Sequence, residues 1–143
     1  MNSTNKCILG IDYGTKYIGL AMGRGDIVMP LDTLNYKKNH QIGEEAINKI
    51  VKYVKEDNCD LIVIGLPLLK GKETKMSKEV REFAKVLEKK LIENKLNIEI
   101  KFVDESGTSK ESVKKAIDMN ISRKRRKDDH ALAACNILKG NVL

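Results

Sequence analysis

The chain has 143 residues, of which 41% are hydrophobic and 33% charged, with a net charge of +7. This size and composition predict one globular domain with its own core and exclude a disordered chain. The longest apolar stretch, residues 61–69, contains Gly and Pro and is too short to span a bilayer. No signal-peptide core follows the N-terminus, so we expect a cytoplasmic protein. The basic charge favours a polyanionic partner such as nucleic acid, although a lysine-rich proteome would account for it equally well.

The cysteines are Cys7, Cys59 and Cys135, widely spaced and without a CxxC pair. This spacing predicts reduced, buried thiols rather than a disulfide framework or a zinc site. Nothing in the sequence places a histidine beside one of them as a catalytic base.

The N-terminal segments predict three strands joined by glycine turns. Residues 7–12 and 17–22 are short and apolar, and the turn at 13–16 between them predicts an antiparallel hairpin. Residues 27–34 predict a third strand. Pro30 within it favours a sheet edge or a break, because proline cannot donate a ladder hydrogen bond.

The rest of the chain alternates helical and strand patterns. Amphipathic helices are predicted at residues 43–55 and 80–91, and two C-terminal helices at 108–119 and 128–138. A strand with a continuous apolar run is predicted at 61–64, and a strand with one buried face at 98–102. The order β-β-β-α-β-α-β-α-α predicts one α/β domain over residues 1–143, with a mixed sheet and helices on both faces.

Acidic residues stand at the ends of three of these elements. Asp12 ends the first strand, Asp104 and Glu105 follow the last strand, and Asp128 and Asp129 precede the final helix. Each has a purely structural explanation, an Asx-type turn for the first and helix N-terminal charges for the others. Thr108 already caps the helix predicted after Glu105. At least one of Asp104 and Glu105 therefore has no structural role, and Glu105 is the stronger candidate for a functional one.

Carboxylates gathered in a basic chain favour a divalent metal, and oxygen ligands without Cys or His favour Mg²⁺ or Mn²⁺. Two such ions can activate a water and stabilise the leaving oxygen of a phosphodiester. Each basic side chain could simply be a solvated surface residue. Those that would contact phosphates are Lys16, Lys70, Lys72, Arg123, Lys124, Arg125, Arg126 and Lys127. The aromatic content of 4% argues against base stacking.

Four segments, 9–21, 63–71, 103–109 and 129–138, resemble in order the YqgF family, also called RuvX, a group of RuvC-like Holliday junction resolvases. The resemblance implies an RNase H-like fold, an α/β domain with a central mixed five-stranded sheet in which three N-terminal strands are antiparallel. It also implies a metal-dependent nuclease, acting on branched DNA or on the ends of precursor 16S rRNA.

Carried over by position, the resemblance makes Asp12, Glu105 and Asp129 the catalytic and metal-binding triad. Asp128 is the alternative to Asp129, because the last Asp lies one residue further from the Ala-Ala pair than in many members. The family usually has Arg-Leu after the Asp-Glu pair, where this chain has Ser-Gly at 106–107, so a basic contact is missing.

Two other functions remain open from sequence. A non-catalytic nucleic-acid-binding or ribosome-associated factor on the same fold would fit the missing arginine. An actin-like or sugar-kinase ATPase also has a phosphate loop that resembles Asp12-Tyr13-Gly14-Thr15, but such proteins need two related halves. A resolvase that nicks symmetrically favours a homodimer, although no segment indicates an interface.

Overall fold

The structure is a computed structural model that describes residues 6–14, 16–25, 27–35, 37–38, 41–42, 44–104 and 131–138. Its elements in chain order are β1 (Cys7–Tyr13), β2 (Tyr17–Arg24), β3 (Ile27–Asn35), β4 (Lys37–Lys38), β5 (Gln41–Ile42), α1 (Glu44–Glu56), β6 (Leu61–Leu66), α2 (Lys75–Glu93) and β7 (Glu99–Asp104). Residues 131–138 are also helical and are called the 131–138 helix below. No helix of the described residues is long and apolar enough to cross a membrane.

The sheet is mixed, as predicted, with the strand order β3-β2-β1-β6-β7. β1, β2 and β3 pair antiparallel, whereas β1, β6 and β7 run parallel. The crossover through α1 leads from the hairpin strands to β6, and the crossover through α2 leads to β7. The short β4–β5 pair forms a separate two-stranded sheet that the sequence did not predict.

Proline placement explains why β3 lies at the edge of the described sheet. The pairing of β2 with β3 shifts register, so that Leu20 lies opposite Asp32 while Ala21 lies opposite Pro30. An irregular edge strand tolerates a residue without an N–H donor. The predicted edge position is confirmed.

Helices cover both faces of the sheet. α1 and α2 pack on one face, over a core that includes Leu9, Ile11, Leu20, Ile62, Ile64, Ile50, Phe83 and Leu87. The 131–138 helix packs on the other face against Ala21 and Val63, through Ala134, Cys135, Ile137 and Leu138. β6 is therefore covered on both sides, as its continuous apolar run predicted.

The 131–138 helix lies very close to β1. A Cβ added at Gly10 would come 2.6 Å from Leu138 Cγ and 3.0 Å from the Ala134 carbonyl oxygen. Only a residue without a side chain fits at this crossing, so Gly10 sets the distance between helix and sheet.

Two expectations need correction. Phe102 of β7 is 38% exposed rather than buried, although Arg81 of α2 lies over its ring, at 5.3 Å from the centroid. The central strand predicted at 61–64 is two residues longer, since β6 ends at Leu66. The predicted helix at 108–119 and the start of the final helix lie outside the described residues.

Candidate active site at the carboxyl edge of the sheet

The predicted site residues that the structure describes lie at one edge of the sheet. β1, β6 and β7 are parallel and end there, and β2 begins there, so we call it the carboxyl edge. Asp12 and Asp104 lie at this edge, together with Lys16 and the turn that follows β6. Ligands of open α/β sheets commonly bind at such an edge.

Strand alternation places Asp12 on the face of the 131–138 helix. Its neighbours Ile11 and Tyr13 are buried toward α2, where the rings of Tyr13 and Phe83 lie 5.0 Å apart. Asp12 therefore shares the opposite face with Gly10, which contacts that helix. The residue is half-buried, one position before the end of the central strand β1.

Glycine flanks Asp12 on both neighbouring strands. Gly19 of β2 lies directly opposite it. On the other side, Gly65 follows Ile64, which is the partner of Ile11. Neither neighbour on this face carries a side chain beside the carboxylate. The sequence interpretation missed this role of Gly65, although glycine inside a strand is a known sign of close approach by another group.

Asp104 faces the other way. Val103 packs into the cluster around the 131–138 helix, whereas Ile100 packs toward α1 and α2. Alternation therefore directs Asp104 to the α2 face, opposite to the face of Asp12. The carboxylates of Asp12 and Asp104 therefore do not converge. Among the described residues, no three His, Cys, Asp or Glu side chains form a group that could hold a metal.

The other predicted ligands, Glu105, Asp128 and Asp129, lie outside the described residues, and so does the basic run at 123–127. The triad therefore remains a prediction in which Asp12 alone has a described position.

The turn after β6 presents two of the predicted basic contacts. Leu69 and Lys72 exchange two backbone hydrogen bonds of 2.9 Å each, and Lys70 and Gly71 both have positive φ, at 50° and 76°. Paired positive φ values are typical of tight hairpin turns. Both lysines are exposed at the carboxyl edge, and Lys16 is exposed beside the β1–β2 turn.

Side chains fix this turn to α2. The Thr74 hydroxyl donates to the Pro67 carbonyl at 2.8 Å and accepts from the Ser77 N–H in the capping box of α2. Glu73 accepts two hydrogen bonds from Arg81, at 2.6 and 3.1 Å, and this guanidinium holds the pKa of the Glu73 carboxyl below its usual range. The lysines are thus carried on a turn with a defined position.

A family model described as RuvX, Holliday junction resolvase, matches residues 6–142. The chain belongs to the RuvX family. Three similar proteins, each named "Putative pre-16S rRNA nuclease", come from Orientia tsutsugamushi, Campylobacter jejuni subsp. doylei and Malacoplasma penetrans. They are 38%, 34% and 32% identical, over 96%, 92% and 100% of this chain and 83%, 92% and 97% of their own. The family resemblance inferred from the motifs is confirmed.

A solved structure supports the fold. Thermus thermophilus RuvC in complex with a Holliday junction substrate matches with a TM-score of 0.58 over 92% of this chain and 89% of its own. The sequence identity is 12%, so this likeness concerns the fold alone. The RuvX chain has the RNase H-like fold, with the predicted mixed five-stranded sheet.

Proposed function

We propose that this RuvX protein is a metal-dependent nuclease that cleaves structured nucleic acid at the carboxyl edge of its sheet. The observation that carries the proposal is the position of Asp12, at the end of the central strand and on the face covered by the 131–138 helix. Family membership and the names of the relatives support the nuclease activity. Those names favour precursor 16S rRNA as the substrate, and branched DNA is the second candidate.

The donor chemistry fits Mg²⁺ or Mn²⁺. Asp12 supplies a hard oxygen ligand, and the described carboxyl edge offers no thiol or imidazole that would favour zinc. Glu105 follows Asp104 directly in sequence, and Asp129, or Asp128 in its place, shortly precedes the 131–138 helix in sequence. These three side chains would hold the metal, which supplies activation of the attacking water and charge stabilisation of the leaving oxygen.

Basic side chains would bind the phosphates on either side of the cleaved bond. Lys70 and Lys72 are exposed on an anchored turn at the edge where Asp12 lies, and Lys16 is exposed close to that aspartate in sequence. The basic run at 123–127 would extend this surface. Recognition of this kind reads the backbone and the shape of the nucleic acid rather than its bases. Symmetrical nicking of a junction would also require a two-fold dimer.

The decisive experiment compares Asp12→Asn with Asp104→Asn in a cleavage screen on four-way junctions and 16S precursor ends, with Mg²⁺ or Mn²⁺. Both changes remove one negative charge at the same edge, but on opposite faces of the sheet. We expect Asp12→Asn to lower cleavage by roughly 10²-fold or more, the size of loss known for a single stabilising group in an active site. Asp104→Asn should stay within a few fold of the wild type. Equal activity of the two variants would refute the assignment of Asp12.

The same screen tests the alternative of a non-catalytic nucleic-acid-binding or ribosome-associated factor. The Ser-Gly pair at 106–107, where the family usually has Arg-Leu, favours it. That function predicts binding that EDTA leaves unchanged and no cleavage of either substrate class by the wild-type chain.

A further inference from the structure

Two thiols meet at the end of β1 that lies farthest from Asp12. Cys7 begins β1, and Cys59 lies between α1 and β6. Their Sγ atoms are 3.3 Å apart, and the residues are 1% and 5% exposed. Both thiols are free. Neither belongs to the proposed nuclease site, so this pair needs its own explanation.

The backbone holds the two cysteines beside each other. The Asp60 N–H donates to the Cys7 carbonyl at 2.8 Å, and the Cys7 N–H donates to Asp60 Oδ2 at 3.0 Å. The Cys59 N–H donates to the Val54 carbonyl at 3.1 Å, which ties it to the end of α1. Both main chains are therefore fixed by hydrogen bonds, and the closeness of the sulfurs follows from the parallel pairing of β1 with β6.

The surroundings of the pair are apolar and sulfur-rich. Met22 Sδ of β2 lies 2.8 Å from Cys7 Sγ and 3.7 Å from Cys59 Sγ. Burial raises the pKa of the Cys59 thiol well above its ordinary value, so it stays protonated at neutral pH. A buried, protonated thiol is a weak nucleophile, so oxidation should be slow, but a partner sulfur already in contact removes the need for a large rearrangement once one thiol is oxidised.

We propose that Cys7 and Cys59 are an oxidation site, at which hydrogen peroxide converts the pair into a reversible intramolecular disulfide. The sulfurs must approach by somewhat over 1 Å to reach the bonded distance of about 2.05 Å. In the first step peroxide oxidises the Cys7 thiol to a sulfenic acid and releases water. In the second step the Cys59 sulfur attacks that sulfur, and its proton leaves with the hydroxyl as water. Two thiols and one peroxide thus yield one disulfide and two waters.

The third cysteine supplies an internal control. Cys135 is equally buried, but it packs in the cluster of the 131–138 helix on the opposite face of the sheet from Cys7. The sheet therefore separates it from the pair. The disulfide would close a loop that contains β2, β3 and α1, so the oxidised chain should resist unfolding better than the reduced chain.

The test treats the folded wild-type chain with hydrogen peroxide, removes the peroxide with catalase, and alkylates the remaining thiols in denaturant. We expect a monomer that has lost two hydrogen atoms, with alkylation at Cys135 only and a peptide that joins Cys7 to Cys59. Dithiothreitol should restore alkylation at all cysteines. The urea midpoint should rise on oxidation and return on reduction.

Matched variants sharpen the result. Cys135→Ser should still form the crosslink, whereas Cys59→Ser should not. The peptide map of the wild-type chain decides the question even if a variant folds poorly. The proposal is overturned if all thiols remain alkylatable after oxidation, if sulfinic acid forms without a crosslink, or if the crosslink involves Cys135 or joins two chains.

Discussion

Replacing Gly10 by alanine tests how closely the 131–138 helix packs on the sheet. The new Cβ would lie 2.6 Å from Leu138 Cγ, about 1 Å short of the 3.5–4.0 Å at which carbon atoms pack. The Leu138 side chain can rotate away, but the Ala134 oxygen at 3.0 Å belongs to the backbone, so the helix itself must move. Overpacking of this kind costs about 1–3 kcal/mol of unfolding free energy.

Gly23→Ala is the matched control, because Gly23 faces the same leucine from β2. Its added Cβ would lie 3.5 Å from Leu138 Cδ1 and 3.8 Å from the Ile8 oxygen, which is ordinary contact. Alanine is favoured over glycine inside a strand by roughly 0.5–1 kcal/mol, so this variant should be as stable as the wild type or slightly more stable.

Urea unfolding measures both variants, provided that the slope with denaturant stays the same. Gly10→Ala should lower the midpoint, and Gly23→Ala should hold or raise it. Cleavage should also fall more in Gly10→Ala, because the displaced 131–138 helix covers the face of the sheet that carries Asp12. If Gly10→Ala proved as stable as Gly23→Ala, the close helix–sheet contact would be wrong.

Two further predictions concern a half-buried tyrosine contact and the basic turn. Tyr53 donates a 2.7 Å hydrogen bond to Asp32, so Tyr53→Phe should lose about 1 kcal/mol of unfolding free energy. That bond raises the pKa of Tyr53 from 10.0 to about 12. The difference in unfolding free energy between wild type and Tyr53→Phe should therefore be constant below pH 10.0 and shrink between pH 10.0 and about 12, because the tyrosine of the unfolded chain ionises first. A difference that grew over this range would contradict the assignment. Lys72→Ala should weaken nucleic-acid binding and reduce the slope of log K against log salt by about 0.9 in magnitude, whereas Lys52→Ala on α1 should leave the slope unchanged. Equal slopes for both lysine variants in a titration at several salt concentrations would exclude the turn from the interface.

Local patterns predicted most of the fold. The continuous apolar run of β6 predicted a strand covered on both faces, because only a central strand of an α/β sheet buries every side chain. Pro30 predicted an edge strand, because it lacks a donor. The structure confirms both predictions. They were possible because each follows from the chemistry of the residues themselves.

The wrong predictions depended on neighbours that a local pattern does not reveal. The alternation around Phe102 shows which side chains share a face, but not how deeply each of them is buried. The strand predicted at 61–64 continues through Gly65 to Leu66, because its pairing with β7 extends that far. The place of Gly65 beside Asp12 becomes visible only when β1 and β6 are aligned, 53 residues apart in sequence.

Residue type and short-range spacing were enough to predict the strands of the main sheet, helices α1 and α2 and the family, and they single out Asp12 as the leading carboxylate, whose role remains a prediction. The tertiary structure adds that Asp12 and Asp104 take opposite faces of the sheet, that glycines flank Asp12, and that Cys7 meets Cys59. Each of these depends on strand register and on which helix covers which face. Register and packing are set by contacts between distant segments, which no local pattern encodes.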